Sequence, residues 1–158
     1  MGVKFSKPNI FANDLNLVKK TIKSGWLTHG KNTTKFEKKF KKYTNSKYSV
    51  TVSSCTAALH LSCLALGLKK GDEVIVPSMS HTATSHAVEY TGAKAVFVDI
   101  DLATGNIDPE KILKKINKKT KVIISIFAGR MADKGKDPIP EIKKSIKLAK
   151  KYKNVEIL

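Results

Sequence analysis

Arginine is nearly absent: all but Arg130 of the 30 basic residues in this 158-residue chain are lysine, against 13 acidic ones, for a formal net charge of +17. Arginine's planar fork reads bases and clamps phosphates bidentately, so a chain with a single Arg is poorly equipped for specific nucleic-acid recognition. The lysines lie in amphipathic stretches such as KFEKKFKKY, KILKKINKKTK and EIKKSIKLAKKYK. Helical spacing there puts apolar residues on one face and lysines on the other, which reads as solvated helix faces. Non-specific polyanion binding at low salt still follows from the charge. Long apolar runs are missing too: none approaches the roughly 20 residues of a membrane span, and MGVKFSKPNIF lacks a signal-peptide core. A soluble, cytoplasmic protein is expected. Cysteine is limited to Cys55 and Cys63 with no CxxC, which disfavours a disulfide framework or a zinc site and fits reduced thiols, with Cys63 packed in a core.

What is present is alternation. Asn13–Ser24 and Thr33–Tyr43 read as helices with apolar stripes. Then come a strand at Tyr48–Ser53, a helix at Thr56–Leu68, a strand at Glu73–Val76 and a helix at Ser80–Tyr90. The pattern continues with a strand at Ala95–Val98, a helix at Asp108–Asn117 opened by Asp and Pro, and an apolar strand at Lys121–Phe127. Pro138–Tyr152 is a lysine-rich helix, and Asn154–Leu158 begins one more strand. Continuous apolar strands between helices predict an α/β fold with a parallel sheet covered on both faces. The last strand ends where a loop carrying functional groups would normally follow, so the sequence reads as cut off. Unpaired sheet edges would favour aggregation unless a partner covers them.

Two places can carry chemistry. In SVTVSSCTAALHLSCLALGL, a strand feeds through Ser53, Ser54, Cys55 and Thr56 into an Ala/Leu helix. The free N–H groups and dipole of a helix start attract an anion, a phosphate above all. Simple capping by Ser54 or Thr56 explains the same residues. In EVIVPSMSHTATSHAVEY, His81 follows a strand end near the same sheet edge, where an imidazole could stack on a flat ring or bond a ligand, or merely face solvent.

The motifs SGWLTHG, FEKKF, VSSCTAALHLSCLALGLKKGDEVIVPSMSHTATSHAVEYTGAKAVFVDID, NIDPEKI and KTKVII closely resemble the DegT/DnrJ-type sugar aminotransferases. The resemblance runs to about residue 124. It implies part of the large domain of the aspartate aminotransferase fold, pyridoxal phosphate (PLP) as cofactor, and amination of nucleotide-linked keto-sugars with an amino donor, usually glutamate, in polysaccharide biosynthesis. By that resemblance Cys55, Thr56 and Ala57 occupy the phosphate cradle, with Cys55 a departure from the usual small residue. His81 takes the ring-stacking position, while Trp26, Leu27 and Thr28 match a motif near cofactor and dimer interface. The family also needs a lysine that forms a Schiff base with PLP and an Asp at the ring nitrogen, both placed later than this chain reaches, so no catalytic residue is assigned and the polypeptide alone is expected not to transaminate.

Residues 125–158 instead resemble a late strand and helix of the small transaldolases, in which the Gly129–Arg130 pair would belong to a sugar-phosphate site; a surface cation is the alternative. The expected organisation is therefore 1–124 from an aminotransferase large domain and 125–158 a tail of other origin. The leading reading is a truncated or fused sugar aminotransferase. Its alternatives are a non-catalytic module pairing with a full-length homologue, since the family's sites are completed across a dimer, and a basic polyanion-binding protein; a reading frame without evolved function is a fourth.

Overall fold

The computed structural model describes residues 7–125, 139–152 and 154–158, so Arg130 and the Gly before it lie outside the described residues. The chain divides into two compact units, Met1–Thr51 and Val52–Leu158.

The first unit holds two helices, α1 (Ala12–Lys23) and α2 (Lys31–Thr44). Phe11 precedes α1, and its N–H donates to Asp14 Oδ2 at 2.9 Å, so an acidic first-turn residue satisfies a free donor at the helix start. Gly25, at φ +69°, turns the chain out of α1. Asn45 ends α2 in the left-handed conformation at φ 53°. The two helices are joined by side chains: Asn32 Nδ2 donates to Thr21 Oγ1 at 2.9 Å. Leu15, Leu17, Val18, Ile22, Phe36 and Phe40 remain about half exposed or more.

In the second unit, helix α3 (Cys55–Ala65) precedes strand β1 (Glu73–Pro77), then α4 (Ala83–Glu89), β2 (Lys94–Val98), α5 (Pro109–Leu113), β3 (Thr120–Ile123), α6 (Ile139–Ala149) and β4 (Glu156–Ile157). The strands are mutually parallel in the order β2-β1-β3-β4. Successive side chains of a strand point to opposite faces, and the packing obeys that period. Val74, Val76, Val122 and Ile124 pack with Cys63 of α3 and Ala87 and Val88 of α4. Ile75, Ile123 and Val98 pack on the other face with Ile112 of α5 and Leu148 and Ala149 of α6. The expected α/β sheet covered on both faces is what the second unit contains. Among the described residues no helix is long and apolar enough to cross a membrane.

Several elements differ from expectation. Tyr48–Ser53 is irregular and pairs with no described strand: Ser46 Oγ bonds the Tyr48 carbonyl at 2.9 Å and the Thr51 N–H goes to a side chain of α2. Helix α4 starts at Ala83 rather than Ser80, because Ser80 Oγ bonds Thr84 Oγ1 at 2.7 Å and His81 Nδ1 takes the Ala83 N–H, side-chain bonds that compete with a regular first turn. Helix α5 is only five residues long. Asp108 caps it as its position implies, its carboxylate accepting from the Glu110 N–H at 2.9 Å.

The two thiols have opposite settings. Cys55 is exposed; Cys63 has no accessible surface, and burial pushes its thiol up. A thiol-reactive dye is therefore expected to label Cys55 promptly in the native protein and Cys63 only after denaturation. Equal labelling of both in the native state would contradict this packing.

Candidate functional site

Open parallel sheets bind ligands outside the carboxyl ends of their strands, where neighbouring connections leave in opposite directions. Here that point lies between β1 and β3: β1 leads away through α4 to β2 on one side, while β3 stands on the other. Helix α3 runs back to the start of β1, so its own N-terminus stands at the carboxyl edge of the sheet. Helix α4 starts from that same edge.

The start of α3 is built by Ser54. Its backbone is extended, at φ −158° and ψ 161°, and its side chain accepts from the Ala57 N–H at 3.1 Å while its carbonyl takes the Ala58 N–H at 3.0 Å. Capping is thus real, as the plainer sequence reading has it. It leaves the N–H groups of Cys55 and Thr56 with no protein acceptor among the described residues. Cys55 is exposed, and Thr56 and Ala57 are partly exposed. The turn therefore offers two free backbone donors, a threonine hydroxyl and the positive end of an 11-residue helix.

His81 stands in the exposed β1–α4 connection. Its Nδ1 accepts from the Ala83 N–H at 3.2 Å, so in the neutral ring the proton is on Nε2. One ring nitrogen is thereby anchored and the other has no described partner. Ser125, just beyond β3, carries a buried hydroxyl without a hydrogen-bond partner among the described residues. In sequence it is only one more residue of an apolar strand, and no spacing marks it.

Trp26 and Thr28 belong to the other unit. The indole Nε1 of Trp26 donates to the His29 carbonyl at 3.1 Å, closing a tight loop before α2. Gly30 is required there for space: a Cβ would fall 2.3 Å from Trp26 Nε1, while its φ of −156° suits any residue. Gly30→Ala is accordingly expected to displace the indole and break its bond to His29. A shift of the chain's single indole N–H resonance would report it; an unchanged resonance would show that the loop has room.

The unit also contains a perturbed carboxylate that residue spacing did not mark. Glu37 Oε1 accepts from the Thr51 N–H and hydroxyl, both at 2.8 Å, and faces His29 Nε2 at 3.4 Å. The Thr51 backbone bond, then its hydroxyl and more weakly His29, hold the carboxyl below its ordinary range against a raising contribution from burial. A carboxyl lowered in the folded state stabilises it fully above the unfolded value, and that contribution is lost as pH falls through the lower folded value. In His29→Ala, which takes the second titratable group off this oxygen, the Thr51 amide resonance should thus move only below the ordinary carboxylate range. A midpoint within or above that range would contradict the assignment.

The second unit is thus a parallel α/β sheet with a capped helix start, whose first two N–H groups have no acceptor among the described residues, and a histidine in the β1–α4 connection. The sequence model of the DegT/DnrJ/EryC1/StrS aminotransferase family matches residues 8–148. The chain belongs to this family, and the match continues beyond residue 124. It is 39% identical over 130 residues to the spore coat polysaccharide biosynthesis protein SpsC of Bacillus subtilis, covering 82% of this chain and 33% of that protein. It is 44% identical over 124 residues to an uncharacterized protein of Methanocaldococcus jannaschii, covering 78% and 32% respectively. Among solved structures, the PLP-form of a putative sugar aminotransferase, Spr1654 of Streptococcus pneumoniae, superposes with a TM-score of 0.85 at 32% identity, covering 98% of this chain and 38% of that one. The chain spans about a third of the length of the curated relatives it matches.

Proposed function

We propose that this chain forms the cofactor-phosphate-binding part of a PLP-dependent aminotransferase acting on nucleotide-linked keto-sugars, in cytoplasmic polysaccharide biosynthesis. The observation that carries the reading is the start of α3, where the Cys55 and Thr56 N–H groups are free although Ser54 already caps the helix. Those donors and the Thr56 hydroxyl suit a phosphate dianion, and Ala57 keeps the approach small. His81, anchored through Nδ1, would present its ring to the flat heterocycle. Bound PLP supplies an electron sink for amino transfer. This chain's part is to seat and orient the cofactor; the lysine and aspartate the chemistry needs are expected from outside it, in one longer polypeptide or a partner.

The test uses deoxypyridoxine phosphate, which has no aldehyde and so cannot react with the many surface lysines, against deoxypyridoxine without the phosphate. Calorimetry on the purified chain should detect binding of the first only, with inorganic phosphate competing. Equal affinity for both would remove the cradle from the account. Borohydride treatment after PLP, followed by peptide mapping, should give no single lysine adduct associated with turnover.

A second reading, a non-catalytic module that pairs with a full-length homologue, is favoured by the exposed apolar faces of α1 and α2, where Leu17, Val18, Ile22 and Phe36 line an open groove of about 520 Å³ with Lys35 and Lys39. Co-purification with such a homologue separates the two readings.

A further inference from the structure

Glu37 is the one acidic residue of α2, whose sequence is KNTTKFEKKFKKYT. A glutamate with a lysine four positions on, here Lys41, is the arrangement that pairs best along a helix. Yet no Glu37–lysine ion pair is formed among the described residues. The carboxylate turns away from the lysine face, and its side chain keeps only 16% of its surface exposed. One oxygen, Oε1, receives the Thr51 N–H, the Thr51 hydroxyl and His29 Nε2.

His29 in turn is held at two points. Its ring faces Glu37, and its carbonyl accepts the Trp26 indole N–H at 3.1 Å. The indole lies so close to Gly30 that the loop has little freedom on that side. Through His29, a single carboxylate on a regular helix thus reaches the segment containing Trp26 and Thr28.

From this arrangement we infer that Glu37 is a positioning residue: it fixes the Trp26–Gly30 loop through His29 while tying Thr51 to helix α2. The role does not depend on the aminotransferase reading, since every contact lies within the first unit. A carboxylate accepts these bonds more strongly than a neutral amide does. A neutral glutamine keeps one acceptor oxygen and loses the charge. His29 donates through Nε2 when the ring is protonated or carries its proton there, and only these forms engage the carboxylate.

The chain has one tryptophan, so a single indole N–H resonance reports the loop. Solvent exchange of that proton, measured by NMR on the intact chain, should be about two- to tenfold faster in Glu37→Ala, the loss expected for one net hydrogen bond at an exposed site. Glu37→Gln should recover part of the protection, a rescue that a merely space-filling role would not distinguish. His29→Ala, which removes a ring that is 62% exposed and so threatens folding least, should speed exchange as much as Glu37→Ala. The double variant should add nothing further. Unchanged indole exchange in His29→Ala would overturn the proposal, whether or not Glu37→Ala folds. So would a fast Glu37→Ala variant beside a His29→Ala variant that exchanges like the wild type, because the effect would then run through Thr51 alone.

Discussion

Ile75→Ala is expected to destabilise the protein by about 2–5 kcal/mol, the range for truncating a fully buried isoleucine to alanine. Ile75 sits at the centre of β1 with no accessible surface, paired in register with Val96 of β2 and Ile123 of β3. Its side chain packs with Ile107, Ile112, Ile123 and Leu148 beneath α5 and α6. Removing three carbons leaves a void that neighbours from two helices and two strands cannot all move to fill. A domain is stable by only about 5–15 kcal/mol, so the loss is a large fraction of the total. Urea denaturation should show a lower midpoint at an unchanged slope, the pattern of lost stability without a change in exposed surface. Phe97→Ala, on the same sheet but 55% exposed, is the control and should cost much less. An Ile75→Ala variant within about 1 kcal/mol of wild type would mean that the sheet's second face is not packed as described.

Ile75 also marks how far pattern could carry the fold. After Glu73 the strand is continuously apolar through Val74, Ile75 and Val76, so the sequence predicted a strand buried on both sides without distinguishing its faces. The structure separates them, Val74 and Val76 toward α3 and α4, Ile75 toward α5 and α6. Element order was legible chiefly because β1 and β2 are bounded by Gly, Pro or an Asp-rich turn. Strand order was not, since β3 joins β1 rather than β2 through tertiary contacts that leave no local signal. Tyr48–Ser53 has the alternation of a strand, but alternation reports a propensity for pairing and cannot supply a partner.

The site was legible to a similar depth. Small hydroxyl residues before an Ala/Leu helix indicated a capped, anion-receptive start, and the structure shows the cap and the free donors together. His81 was visible by its place after a strand, but its anchoring by the Ala83 N–H is a detail of the turn. Glu37 was hidden among lysines. Its partners Thr51 and His29 lie 14 and 8 residues away, in segments with no common periodicity.

Ala57→Glu should divide the two roles of the α3 turn, strengthening the helix while weakening anion binding. Ser54 is the N-cap and Ala57 the third helical residue, so the change creates Ser-x-x-Glu, in which the glutamate reaches back to the N-cap N–H. A carboxylate in the first turn also complements the helix dipole, adding about 0.3–1 kcal/mol. The same carboxylate stands where the phosphate is proposed to sit. Two unit charges 4 Å apart repel by about 4 kcal/mol at an effective dielectric of 20. Discounting that for the partly exposed turn leaves about 1.4–2.8 kcal/mol, a ten- to hundredfold loss of affinity. Ala57→Gln can make a similar cap without the charge, and it should retain most of the binding. The decisive pattern is a raised melting temperature together with weakened deoxypyridoxine phosphate binding in the glutamate variant alone. If that variant binds as the wild type does, the phosphate does not sit on this turn, and Ser54, Cys55 and Thr56 serve only to begin a helix.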